Sequence, residues 1–122
     1  MKTIVKAVTA LGFAFSLAGC HESIEVRQVK GGTLQLCPGH TVDQMVQGFM
    51  GSPSWESGKT DSGKVFVNVS GDITFKNKPV RALIQFNVEG DRFSFNALEM
   101  NGVPSPNLIA VGLMQKMCAS AK

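Results

Sequence analysis

The sequence predicts one small α+β domain of two layers: a helix, a three-stranded antiparallel meander and a second helix, with both helices on one sheet face. Three observations carry this. Val80, Ala82, Ile84, Phe86 and Val88 alternate with Arg81, Leu83, Gln85, Asn87 and Glu89, the period of a half-buried strand. Val42, Met45, Val46, Phe49 and Met50 recur at the spacing of one helix face, which makes an apolar stripe for a core. The chain has 122 residues, room for a single domain.

The elements follow in order. Glu22–Lys30 mixes charges and is expected to be part of a tether over 20–32, with Gly31-Gly32 as its flexible end. The folded body is expected over 33–122. Thr33–Leu36 reads as a short strand, and Pro38-Gly39 as a turn. Thr41 with Gln44 three residues on forms a capping-box pattern, so the first helix starts there. Gly51 and Pro53 are expected to stop it. Trp55 has two readings, a cap on the core or an interface anchor. Glu56–Gly63 is polar and rich in loop formers, so it reads as an exposed hairpin or a crossing loop.

The meander begins where Val65, Val67 and Val69 alternate with Phe66, Asn68 and Ser70, and resumes at Ile73 and Phe75. Asn77-Lys78 is the expected turn before the Val80–Val88 strand. Gly90-Asp91 suits a two-residue hairpin with Gly first. Arg92–Met100 is the third strand, with Phe93, Phe95 and Ala97 facing in and a switch to Leu98 and Met100 that implies a bulge. Asn101-Gly102 is expected to end the sheet. Ser105-Pro106 reads as an N-cap and first helical residue, opening a helix over 107–118 that is apolar around much of its girth. The other sheet face carries Asn68, Gln85, Asn87, Ser94 and Asn96 with Phe66, Leu83 and Leu98 among them. It is either simply wet or, with Trp55, a partner surface formed by Trp55, Phe66, Leu83 and Leu98.

The first nineteen residues do not belong to this body. Lys2 and Lys6 precede Ala7–Gly19, which has no charge. A spanning helix needs about 20 apolar residues, so the shorter run suits a signal peptide over 1–19. Leu17-Ala18-Gly19-Cys20 resembles the lipobox of bacterial lipoproteins. That resemblance implies a diacylglycerol on the Cys20 thiol, cleavage before it and an acylated new amine, giving stable membrane anchoring. The next residue is His21 rather than Asp, which by the same resemblance implies the outer membrane of a Gram-negative envelope.

With Cys20 assigned to the lipid, Cys37 and Cys118 remain. An even pair in an exported chain reads as a disulfide. Cys37-Pro38-Gly39-His40 lacks the second cysteine and the strand–helix context of a redox motif. Zinc would need paired ligand spacing that the two histidines do not supply. No metal and no cofactor are expected.

Removing Lys2 and Lys6 lowers the formal charge from +3 to +1, and no basic cluster marks a nucleic-acid binder. A nucleophile elbow, a phosphate loop and a paired-carboxylate site are all missing from the sequence. Ser52, His40 and Asp43 make a triad only on paper, since Asp43 suits a helix first turn. No enzyme is expected. Cys37–Trp55, Val67–Phe75 and Lys116-Met117-Cys118 together are similar to a module of small bacterial envelope proteins, a likeness that implies no particular activity. A helix, Gly-x-Pro and meander are also loosely similar to the small lipoproteins of the outer-membrane protein assembly machine. Those place two helices before the strands, whereas the order expected here puts the second helix after them.

The function expected is therefore that of a lipid-anchored accessory subunit, contacting the membrane through its anchor and another envelope protein through its body, as in a secretion, conjugation or outer-membrane assembly system. The alternative is a small-molecule or inhibitor-type binder with a pocket lined by Met45, Phe49, Met114 and Met117.

Overall fold

The meander runs further in both directions than the alternation predicts. The computed structural model describes residues 22–122. The signal peptide and Cys20 lie outside the described residues. The sheet has five antiparallel strands in sequence order: β1 (Gly51–Lys59), β2 (Val65–Phe75), β3 (Lys78–Glu89), β4 (Arg92–Met100) and β5 (Val103–Pro104). Three helices accompany it: α1 (Ile24–Gly31), α2 (Val42–Gln47) and α3 (Asn107–Ala119). The three-stranded, two-helix expectation is thus corrected to a five-stranded sheet with three helices among the described residues. Two helices precede the strands and one follows.

The central strands behave as their pattern requires. Val67, Val69 and Ile73 of β2 and Ala82, Ile84, Phe86 and Val88 of β3 are buried on one face, in one cluster with the helices. In β4, Gln85 faces Ala97 while Phe86 faces Phe95, so Asn96 is an extra residue. This bulge lets Phe93, Phe95, Leu98 and Met100 all point to the helical side, as the face switch implied. Ala97, expected inside, pairs with Gln85 on the outer face.

β1 takes in the expected turn at Ser52–Trp55 and most of Glu56–Gly63, whose hairpin alternative is the one present. Its sequence is polar because it is an edge strand with only one neighbour, and edges tolerate charge and proline. Trp55 faces Val69 and Ser57 faces Val67, so these two point inward, while Gly58 faces Phe66 outside. The pairing slips between Gly51 and Ser54, where Ser52 has φ 49°. That irregularity accommodates Pro53.

The hairpins correct two turn assignments. β2 and β3 are joined at Lys76-Asn77, with φ 52° and 64°, one residue before the expected position. Asn101-Gly102 has φ 51° and 80°, a mirror-image turn that reverses the chain into β5 instead of ending the sheet. Glu89 pairs with Arg92 around Gly90-Asp91, and Gly90 has φ 64°, as a Gly-first turn demands.

α1 replaces most of the expected tether. Ser23 is its N-cap, its hydroxyl accepting from the Val26 amide at 3.1 Å. Val26 and Val29, three residues apart, are buried, and the helix packs against β1, β2 and α2. Gln28 donates to the Gly90 carbonyl at 3.0 Å, and Ser57 donates to the Ser23 hydroxyl at 2.8 Å. Lys30 lies over the Trp55 ring, 5.4 Å from its centroid, and pairs with Glu22. Ser23→Ala should therefore cost about 1 kcal/mol, the usual loss for an N-cap. A shifted urea midpoint would show it; a tether residue would leave the midpoint unmoved.

α2 carries the expected capping box. Gln44 N donates to the Thr41 hydroxyl at 3.1 Å, and Thr41 N donates to the Gln44 side chain at 2.8 Å. It ends earlier than expected, at a Gly48 cap, so Phe49 and Met50 leave the helix before β1. α3 starts one residue later than expected, with Pro106 as its N-cap and no side-chain cap. A disulfide joins Cys37, just before α2, to Cys118 near the end of α3, with Cα atoms 5.7 Å apart. The pair read from the cysteine count is present.

Candidate functional site

The four residues expected to form a partner surface are not brought together. Trp55 is half-buried on the helical side, packed against the core with Lys30 over its ring. Leu98 is only 2% exposed, because the Asn96 bulge turns it inward. Phe66 and Leu83 do lie on the outer face, since their partners Asn87 and Ser70 belong to that face. The Phe66 ring covers Gly58, where an added Cβ would stand 2.7 Å from it. Leu83 and the Phe66-facing Asn87 are four strand positions apart, about 13 Å. Two separate apolar side chains on a polar face make no patch.

The methionine pocket is also absent. Met45, Met114 and Met117 are fully buried in the shared core, where they fill space as flexible thioethers do. Only Phe49, half-buried, reaches a surface depression.

That depression is the feature which stands out. α3 buries Ala110, Leu113, Met114 and Met117, one stripe at helical spacing. Its apolar girth exceeds that stripe, so Leu108 is left 84% exposed and Val111 42% exposed. Val103 of β5 is 64% exposed. Two concavities of about 420 and 350 Å³ run along this side and share Phe75, Lys76 and Ile109. The first lies between Phe49, the β2–β3 turn and α3, reaching Leu113 and Lys116. The second continues past Val80 and Met100 to Val103, Pro104 and Pro106. Each is within the size range of ligand clefts.

The charges are one-sided. Lys76 and Lys116 line the groove, and among the described residues no Asp or Glu does. The Lys76 ammonium sits 5.4 Å from the centroid of the Phe75 ring, so a cation rests on the apolar wall. A wider cleft of about 690 Å³ follows β4 near Leu34–Leu36, but Glu89 and Arg92 both line it. It presents neither one sign of charge nor a continuous apolar surface.

Sequence reasoning missed the groove because its lining comes from α2's exit, two turns and α3. One signal was available: a helix apolar around its girth in a domain with only one layer to bury it against leaves apolar residues facing out. Among the described residues no group of His, Cys, Asp and Glu is placed to hold a metal ion. No described helix is long and apolar enough to cross a membrane. His40 is half-buried in the turn before α2. No family model matches the chain, and the curated proteins and the solved structures give no match either.

Proposed function

We propose that this chain is a lipid-anchored envelope protein, an accessory subunit that docks another envelope component through the groove on α3. The observation that carries the docking role is the exposed apolar side of α3, set against a predominantly polar outer sheet face. A small domain does not keep Leu108 and Ile109 in water for packing reasons, and contiguous exposed apolar surface marks contact sites. The lipobox-like Leu17-Ala18-Gly19-Cys20 supports the anchor, and the disulfide agrees with an oxidising compartment.

The α1 helix gives this reading a geometry. The fold begins at Ser23, three positions after Cys20. A fully extended chain covers that gap in at most about 11 Å. A lipid at Cys20 would then hold the domain close against the bilayer, within reach of membrane-embedded and membrane-bound components.

The test has two arms in the native host. Cys20→Ser should move the protein from the membrane to the soluble fraction and abolish incorporation of labelled palmitate. A photo-crosslinking residue at Leu108, which lines the groove, should give a discrete adduct that the same residue at Asn68, on the outer face, does not. Unchanged fractionation of the serine variant would remove the anchor, and identical adduct patterns at the two positions would remove the docking site.

A further inference from the structure

We infer that the α3 groove binds the alkyl chain of a single-chain anionic amphiphile, with Lys76 and Lys116 receiving its head group. The inference rests on the proposal that this groove is the working surface, and it names the chemistry that the surface takes. It does not depend on Cys20.

Charge sets the sign of the head group. Two ammonium groups line an apolar cleft that no described acid neutralises. A carboxylate or phosphate at the rim would be paired there, while a cationic head would meet only repulsion. Shape sets the tail. Phe49, Phe75, Ile109 and Leu113 form a concavity rather than a protrusion, and a bilayer surface meets protrusions. The two depressions adjoin at Phe75, Lys76 and Ile109, so a single alkyl chain laid along them would bury apolar area of both.

Two residues of this groove are poor choices for the fold alone. Gly112 lies within α3, where glycine weakens a helix relative to alanine. An added Cβ there would meet nothing within 4 Å, so neither packing nor backbone conformation calls for glycine. The space above it is open to an incoming group. Lys76 occupies a turn position at φ 52°, which asparagine or glycine adopts at less cost. Departures from local preference that gather around one cleft are what a binding site shows.

Calorimetric titration of the unacylated Cys20→Ser chain with dodecyl phosphate, below its micelle concentration, tests this. One saturable site is expected, with dodecyltrimethylammonium bound at least tenfold more weakly. Lys76→Asn combined with Lys116→Gln should weaken dodecyl phosphate tenfold or more. Gly112→Ala should weaken it severalfold while raising the thermal midpoint by a few degrees, which separates loss of the site from loss of the fold. Equal affinity for the two head groups, no saturable binding, or binding seen only with phosphatidylglycerol vesicles would each overturn the inference. If dodecyl phosphate failed while the Leu108 adduct persisted, this inference alone would fall and the docking role would stand.

Discussion

Breaking the Cys37–Cys118 bridge should remove about 4–5 kcal/mol of stability, the loop-closure term for a sequence separation of 81. A domain of this size has only about 5–15 kcal/mol in total, so Cys37→Ser should stand near its unfolding threshold at 37 °C. The loss is not spread evenly. α3 enters the sheet through the short β5 and packs mainly against α2 and β4. Its C-terminal end is held by the bridge and by the backbone donation from Lys122 to Gln44. Without the bridge α3 should loosen first, and the groove with it. Urea denaturation of Cys37→Ser, Cys118→Ser and the double variant would measure this. All three should unfold at about the same lowered midpoint, because each removes the same bond. Wild-type protein treated with reductant should join them. Amide exchange should accelerate most in α3. A double variant markedly less stable than either single one would mean that the cysteines contribute through packing and not through a shared link.

How much of this arrangement was legible depends on how much each segment is asked to bury. β2 and β3 are covered by helices, so their inner positions must be apolar and the alternation is plain. The bulge in β4 showed because Phe93, Phe95, Leu98 and Met100 cannot share a face without an extra residue. Thr41 and Gln44 announced α2 because capping is local chemistry, independent of the rest of the fold. The cysteine pair was visible once Cys20 was set aside as the lipobox cysteine, since two then remain. α1 was hidden because it contributes only Val26 and Val29 to the core, and two valines among Glu25, Arg27 and Lys30 make no stripe. β1 was hidden because an edge strand with Trp55 and Ser57 inward needs no apolar alternation. β5 was hidden because two residues carry no periodicity, although Asn101-Gly102 is a hairpin turn in its own right. The groove is a property of assembly: Phe49, Phe75 and Ile109 are far apart in the chain and meet only once α3 returns to the sheet.

Gly48→Ala should be the other severe change, and it should act against what local rules suggest. Gly48 caps α2 with φ −81° and ψ −10°, a conformation that alanine adopts freely, so propensity alone predicts a gain. The packing forbids it. A Cβ at this position would lie 1.9 Å from the Ser120 carbonyl oxygen, 2.8 Å from its carbon and 3.1 Å from the Ala121 Cα. All three are backbone atoms, so no rotamer change relieves the contact. Either α2 moves away from the core that Val42, Met45 and Val46 occupy, or the C-terminal residues lift off. Lifting forfeits the hydrogen bonds from Ala121 to Cys118 and from Lys122 to Gln44, at 3.3 and 3.1 Å. It also pulls on the neighbouring disulfide. A cost of up to about 3 kcal/mol is expected, the upper part of the range for overpacking. The mechanism has a specific signature. In a chain truncated after Ala119 the obstructing atoms are gone, so Gly48→Ala should become neutral or slightly stabilising in that background. Four urea curves, with and without each change, give the coupling energy directly. Equal destabilisation in both backgrounds would show that Gly48 is required by α2 itself and that the closing segment does not press against it.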